Sequence, residues 1–204
     1  MHARTWSTLP AVVGALFMLA GCAATPRHAA IPLGKWHGEG TFASVGLPKG
    51  ETAETGHAQL LEHGTYPTDL NITPATDLGD GAVRLEIVSL RSGYETLEGD
   101  RTHLIVFLAP VPAEGEGTVT PYRIVKSGMA FKDEEPSLDE GPENQLEAVC
   151  MLADGEPVLH VQYADQFIDN FRFRGNQVYK QGSFCPEKGE QGFIFWSEAL
   201  RPVR

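Results

Sequence analysis

The sequence is short of basic residues, of cysteine and of long apolar runs, and each shortage excludes something. Sixteen Lys and Arg face 27 Asp and Glu across 204 residues, a formal charge of −11, the wrong sign for a surface that holds phosphate backbones. No nucleic-acid partner is expected. Three cysteines, none in a CxxC pair, supply neither a dithiol redox motif nor the spacing of a four-ligand zinc site. No apolar stretch reaches the ~18 residues of a membrane-spanning helix. The hydrolase and nucleotide signatures are missing as well: there is no Gly-x-Ser-x-Gly, no His-Glu-x-x-His and no Gly-x-x-x-x-Gly-Lys-Ser/Thr. Accordingly no catalytic activity, cofactor or metal site is expected. What is present is 42% apolar residues with 22 Gly and 14 Pro, enough for one core and weighted toward many strands joined by turns.

The N-terminal segment reads as an address. His2 and Arg4 precede an apolar run from Ala11 to Ala20, broken only by Gly14, and no acidic residue occurs before Glu39. The run ends in Leu19-Ala20-Gly21-Cys22, which resembles the lipobox of bacterial lipoproteins. That resemblance implies that residues 1–21 are a cleaved signal peptide and that Cys22 is the lipid attachment site. Residues 22–32 then form a lipidated tether, and 33–204 a single domain. Acyl chains hold a protein at a bilayer with about 0.8 kcal/mol per buried CH₂, so no second apolar segment is required. Ala23 is not the Asp that favours inner-membrane retention in such lipoproteins, so the expected location is the outer membrane, facing the periplasm. Two cysteines remain, Cys150 and Cys185, and an exported chain meets oxidising conditions. A disulfide between them is expected, worth roughly 3 to 4 kcal/mol by loop closure; two reduced, buried thiols acting as small hydrophobes are the alternative.

Within 33–204 short strand-like runs recur, bounded by Gly, Pro, Asn and Asp. They fall near Gly34–Phe42, Gly56–His63, Asp69–Ile72, Ala82–Leu90, His103–Leu108, Tyr122–Phe131, Gln145–Leu152, Pro157–Tyr163, Asn170–Arg174, Gln177–Phe184 and Gly192–Trp196. In Phe171-Arg172-Phe173-Arg174 the alternation puts both rings on one face and both guanidinium groups on the other. Gly175-Asn176 then suits a tight hairpin. One short helical stretch is read at Tyr163–Phe171. The acidic segment Lys132–Asn144 is too charged to pack and reads as a loop.

One constellation suggests a fold. Trp36, Gly38, Gly40 and Phe42 share a strand face, so a large ring stands beside positions without side chains, as a strand bending across a barrel end requires. Gly34-Lys35-Trp36 is similar to the Gly-x-Trp opening of the lipocalin and calycin families. The resemblance implies an all-β fold, a single antiparallel up-and-down barrel of about eight to ten strands. Gly34 and Trp36 would close one end, with Trp36 covered by a late arginine, for which Arg172, Arg174 and Arg201 are candidates. Gly34 to Gly40 also looks like the opening of nitrobindin-type barrels, which hold haem through a histidine, but the match stops there. A β-sandwich or open curved sheet with Trp36 as a core aromatic is the alternative.

A closed barrel encloses an apolar molecule or is filled by its own side chains. The candidate lining residues are Phe42, Leu85, Ile87, Ile105, Phe107, Phe171, Phe173, Phe193 and Phe195. His103 and His160 sit in apolar strands, where a ring serves as a ligand or as a hydrogen-bonded core residue. His57 and His63 would stand roughly 20 Å apart on an extended strand, too far to share an ion. Carboxylates such as Glu86 with Glu95, or Asp165 with Asp169, carry no pairing signal; convergence of three or more His and carboxylates in one cleft would be needed to argue for an enzyme. The expected function is thus a membrane-anchored periplasmic module binding or carrying a small apolar ligand. The alternative is an envelope lipoprotein without a pocket that docks to another protein, for which Lys132–Asn144 is the candidate element.

Overall fold

The computed structural model describes residues 29–47, 56–90, 101–112, 118–140, 147–163, 167–184 and 192–204. Cys22, Cys185 and Asp165 lie outside them, as do the signal and most of the tether. Eleven strands follow one another: β1 (Gly34–Gly46), β2 (Gln59–Pro74), β3 (Val83–Leu90), β4 (Arg101–Pro110), β5 (Val119–Phe131), β6 (Asp139–Glu140), β7 (Ala148–Ala153), β8 (Glu156–Tyr163), β9 (Phe167–Arg174), β10 (Gln177–Phe184) and β11 (Phe193–Pro202). Each strand except the two-residue β6 pairs antiparallel with its neighbours in chain order, and β1 closes against β11. The fold is all-β, an up-and-down barrel of ten strands, with β6 laid against the edge of β5. Closure leaves free edges only where strands overhang their neighbours, as along Gln59–Pro67 of β2.

Three sequence readings are corrected. The runs Gly56–His63 and Asp69–Ile72 are parts of one strand, β2. Pro67 does not break it because pairing with β3 begins only at Thr68–Ser89, so the ladder has one neighbour fewer there. The helix read at Tyr163–Phe171 is not formed; β8 runs to Tyr163 and β9 starts at Phe167 with its inward positions at Asp169 and Phe171. Among the described residues the helical content is one 3-10 turn, Thr76–Leu78. The acidic segment is partly packed: β6 pairs with Lys126 and Ser127, and the Ser137 carbonyl lies so close over Gly128 that no Cβ fits between them.

Strand alternation divides the residues between inside and outside. The inward positions of β9 are Asp169, Phe171 and Phe173, all buried, while Asn170, Arg172 and Arg174 are exposed. Arg172 and Arg174 reach Glu156 across the outer face at 2.9 and 3.3 Å, an arrangement for water rather than lipid. The main core holds Trp36, Leu70, Ile72, Leu85, Val106, Leu108, Leu159, Phe171, Phe173, Val178 and Leu200. A satellite cluster of Ala75, Ala82 and Ala109 sits under the Thr76–Leu78 turn on the outside, with Phe107 packed on it.

The two barrel ends differ. One carries the short connections: Ala75–Ala82 between β2 and β3, Asp154-Gly155 between β7 and β8, and Gly175-Asn176 between β9 and β10, where Gly175 takes φ 59°. At this turn end the Trp36 ring meets the edge of Phe173, centroids 6.0 Å apart, and its indole N–H donates to the Asn176 carbonyl at 3.1 Å. A Cβ at Gly34 would stand 2.7 Å from the same ring. Ala29 and Ile31 are buried there, and the Thr120 hydroxyl donates to the Ala29 carbonyl at 2.7 Å. Arg172, Arg174 and Arg201 are all on exposed outward positions, so the covering arginine is replaced by Phe173 and the Asn176 carbonyl. The opposite end receives the longer connections, among them those between β1 and β2 and between β3 and β4.

Candidate functional site

Toward the loop end the inward alternation continues, but the residues change character. On β10 the positions after Val178 are Lys180 and Gly182; on β11 those before Leu200 are Glu198 and Trp196; on β9 Asp169 precedes Phe171. Register brings them together, since Lys180 lies opposite Glu198 and Gly182 stands between Trp196 and Asp169. Asp169, Lys180 and Glu198 are 3%, 4% and 2% exposed, a burial that charged side chains tolerate only when paired. The Lys180 ammonium donates to Glu198 Oε1 at 2.9 Å and stands 3.6 Å from Asp169 Oδ1. The Tyr66 hydroxyl donates to the same Glu198 oxygen at 2.9 Å, and the Trp196 indole N–H donates to Asp169 Oδ1 at 2.7 Å. Thr68 and Ser89 hydroxyls share a 2.7 Å bond beside them.

Two glycines make room for this network. A Cβ at Gly40 would stand 2.7 Å from the Tyr66 ring and 2.8 Å from Glu198 Cγ; one at Gly182 would collide with both Asp169 Oδ1 and the Trp196 nitrogen. The strand curvature that Gly38 and Gly40 suggest in the sequence therefore also serves to admit Tyr66 and Glu198.

A cavity of about 40 Å³ adjoins the cluster, lined at its polar side by Asp169, Lys180, Tyr163, Ser89 and Thr102, and at its apolar side by Ile87, Leu104, Met129, Phe167 and Trp196. It has room for a water molecule or a small functional group. Two buried polar atoms of the cluster make no hydrogen bond of good geometry: Glu198 Oε2 and the Tyr163 hydroxyl, which lies beside Asp169. Burial pushes the Asp169 carboxyl up to about 6, against the pull of Lys180, and drives the Tyr163 phenol well above its ordinary range.

The expected lining is only partly in place. Phe42, Leu85, Ile87, Phe171 and Phe173 are buried, but of the nine residues only Ile87 borders the cavity. Leu85, Phe171 and Phe173 fill the dry half, and Phe42 packs with Tyr66 and Trp196. Ile105 and Phe107 lie opposite Glu86 and Arg84, on the outer face. Phe193 and Phe195 are 48% and 47% exposed and stack on each other outside. The reason is parity: on β11 the inward set is Trp196, Glu198 and Leu200. Cys150 is a free thiol, fully buried among core residues, and burial raises its pKa to about 11. Cys150 thus packs as a small hydrophobe, and its expected disulfide partner Cys185 lies outside the described residues.

The histidines of apolar strands both face outward. His160 Nδ1 bonds Asn170 Oδ1 at 2.8 Å. His103, 3% exposed, lies 2.8 Å from Glu86 and 3.4 Å from Glu135. Arg84 donates to Glu86 at 2.7 Å, and this bond, opposed by burial and aided by His103, holds the Glu86 carboxyl down at about 2. Neither histidine reaches the barrel interior. Among the described residues no group of three His, Cys, Asp or Glu is placed to hold a metal ion.

No protein-family model matches the chain, and no curated protein does. Among solved structures it is similar to an S-type phycobiliprotein lyase from Guillardia theta, over 84% of this chain and 88% of that one, with 11% identity and a TM-score of 0.42. A likeness at that level says nothing of what either barrel holds.

Proposed function

We propose that this chain is a lipid-anchored envelope protein whose barrel binds a small ligand at its loop end. Cys22 carries the anchor, and because Ala23 is not the Asp that favours inner-membrane retention, the protein goes to the outer membrane, facing the periplasm. The observation that carries the binding reading is the loop-end cavity walled by Asp169, Lys180 and Tyr163; a perturbed ionisable group with a specific charge partner in a cleft is a functional-site candidate. The ligand enters at the rim rather than lying deep in the barrel, because the turn-end half is filled with its own side chains. A binding module is favoured over an enzyme: two carboxylates and one lysine converge, short of the three His and carboxylates that would argue for catalysis.

Two measurements test this. Radiolabelled palmitate should enter the protein and fail to enter Cys22→Ser; incorporation in both, or in neither, removes the anchor. Organic extraction of protein purified from envelopes should release a defined molecule by mass spectrometry, and Thr102→Leu, which narrows the cavity, should lower its yield; an unchanged yield removes the cavity as its place. Docking to another envelope protein is the second reading, favoured by the exposed Phe193–Phe195 stack. Crosslinks that disappear in Phe193→Ser/Phe195→Ser would support it.

A further inference from the structure

Resting on the binding reading above, we infer that the loop-end cavity is a receptor for a protonated amine carried on a small apolar body. Charge comes first. Among the described residues two carboxylates, Asp169 and Glu198, share the Lys180 ammonium, so the fully ionised trio carries one negative charge in excess where water is scarce. Hydrogen bonding points the same way. Glu198 Oε2, in the cluster behind the wall, has no donor, and the 92%-buried Tyr163 brings its hydroxyl to the cavity beside Asp169, where it meets no hydrogen bond of good geometry. An ammonium brings three donors and the missing charge.

The walls complete the fit. Phe167, Tyr163 and Trp196 border the cavity, and Phe167 packs on Trp196 and Phe184 at 5.9 and 4.5 Å between centroids. Aromatic faces attract cations, and the protein already uses this with Lys180 Nζ 5.8 Å from the Trp196 ring. A volume of about 40 Å³ admits the head group alone, so the apolar body rests on Leu104, Met129 and Phe167. An anionic head would meet Asp169 at the wall, and the Lys180 ammonium there is already engaged by Asp169 and Glu198, so it is rejected. Ionisation of Asp169, with its carboxyl at about 6, makes the site more receptive above that pH; Lys180, Glu198, Tyr163 and Tyr66 are the other ionisable groups facing it.

The experiment titrates the full-length protein, as purified from the envelope, with three probes of nearly one shape: benzylamine, benzyl alcohol and benzoate. Fluorescence of Trp196, with Trp36 at the far end as the internal reference, reports occupancy. Benzylamine should saturate the signal at pH 7.5 and bind at least tenfold tighter than either other probe. Its affinity should fall severalfold at pH 5, and at least tenfold in Asp169→Asn. Thr102→Leu, which alters no charge, should weaken binding of the amine as well and serves if Asp169→Asn does not fold. If benzyl alcohol or benzoate binds as tightly as the amine, the amine assignment is overturned while the binding reading stands. If none of the three saturates, the assignment is overturned, and a failure of envelope protein to yield any bound molecule would then overturn the binding reading separately.

Discussion

At the turn end the barrel turns Trp36, Phe173, Val178 and Leu200 inward; at the loop end the same strands turn in Asp169, Lys180 and Glu198. The boundary falls between residues two apart on one strand: Val178 and Lys180, Leu200 and Glu198, Phe171 and Asp169. The two halves share backbone, pairing and curvature, so the difference lies entirely in side-chain chemistry. Apolar burial supplies stability in proportion to area, whereas buried ions are costly and roughly break even when paired. One half therefore holds the barrel together, and the other is carried by it.

The sharpest way to break that division is to remove the counter-charge. Lys180→Met leaves Asp169 and Glu198 buried without their cation, an expected loss of about 3–5 kcal/mol in urea denaturation. The double variant Lys180→Met/Glu198→Gln should recover most of that loss; if it does not, the lysine stem rather than its charge is what matters.

Acidity comes next and acts with opposite signs on two carboxylates. Asp169 has a folded-state pKa of about 6 against 3.8, raised chiefly by burial. Its contribution favours the fold below pH 3.8 and disappears as pH rises through 6, a displacement worth roughly 3 kcal/mol. Glu86 lies at about 2 against 4.5, held down first by the Arg84 hydrogen bond. Its contribution is present above pH 4.5 and is lost as pH falls through 2. Stability measured against pH should thus rise on acidification from 7 toward 4.5 and fall below it. Asp169→Asn should flatten the rise, and Glu86→Gln the fall; the reverse pairing would contradict the assignment.

A smaller effect is expected from Gly182→Ala. Its Cβ displaces the Trp196–Asp169 bond, an overpacking cost of about 1–3 kcal/mol, with a red shift in Trp196 emission as the indole loses its buried partner. Smallest is Ile72→Val in the dry half, about 1 kcal/mol, leaving benzylamine affinity within twofold. A larger change in affinity would mean that the halves are coupled.

The sequence makes the barrel legible through patterns that are local. Phe171-Arg172-Phe173-Arg174 shows which face is wet, Gly175-Asn176 marks a hairpin, and Trp36 among glycines marks an end. The polar cluster is not local: Tyr66, Asp169, Lys180 and Glu198 come from four strands, and each read alone is an ordinary solvated residue. A signal did exist. Glu198 lies at the same parity as Trp196 and Leu200, and Lys180 at the same parity as Val178, so an alternating strand with an ion on its core face pointed to a buried pair. The misplacement of Phe193 and Phe195 has the same origin, because taking Phe rather than Trp196 as the inward residue flips β11.

The seating of Ala29 and Ile31 in the turn end, with Thr120 holding the Ala29 carbonyl, would set the orientation of a chain lipidated as proposed. Residues 23–28 alone separate Cys22 from that seat, a reach of at most about 25 Å. A chain acylated at Cys22 would ride with its tight-turned base against the bilayer and its charged rim pointing outward, so that whatever it takes up arrives from the aqueous side.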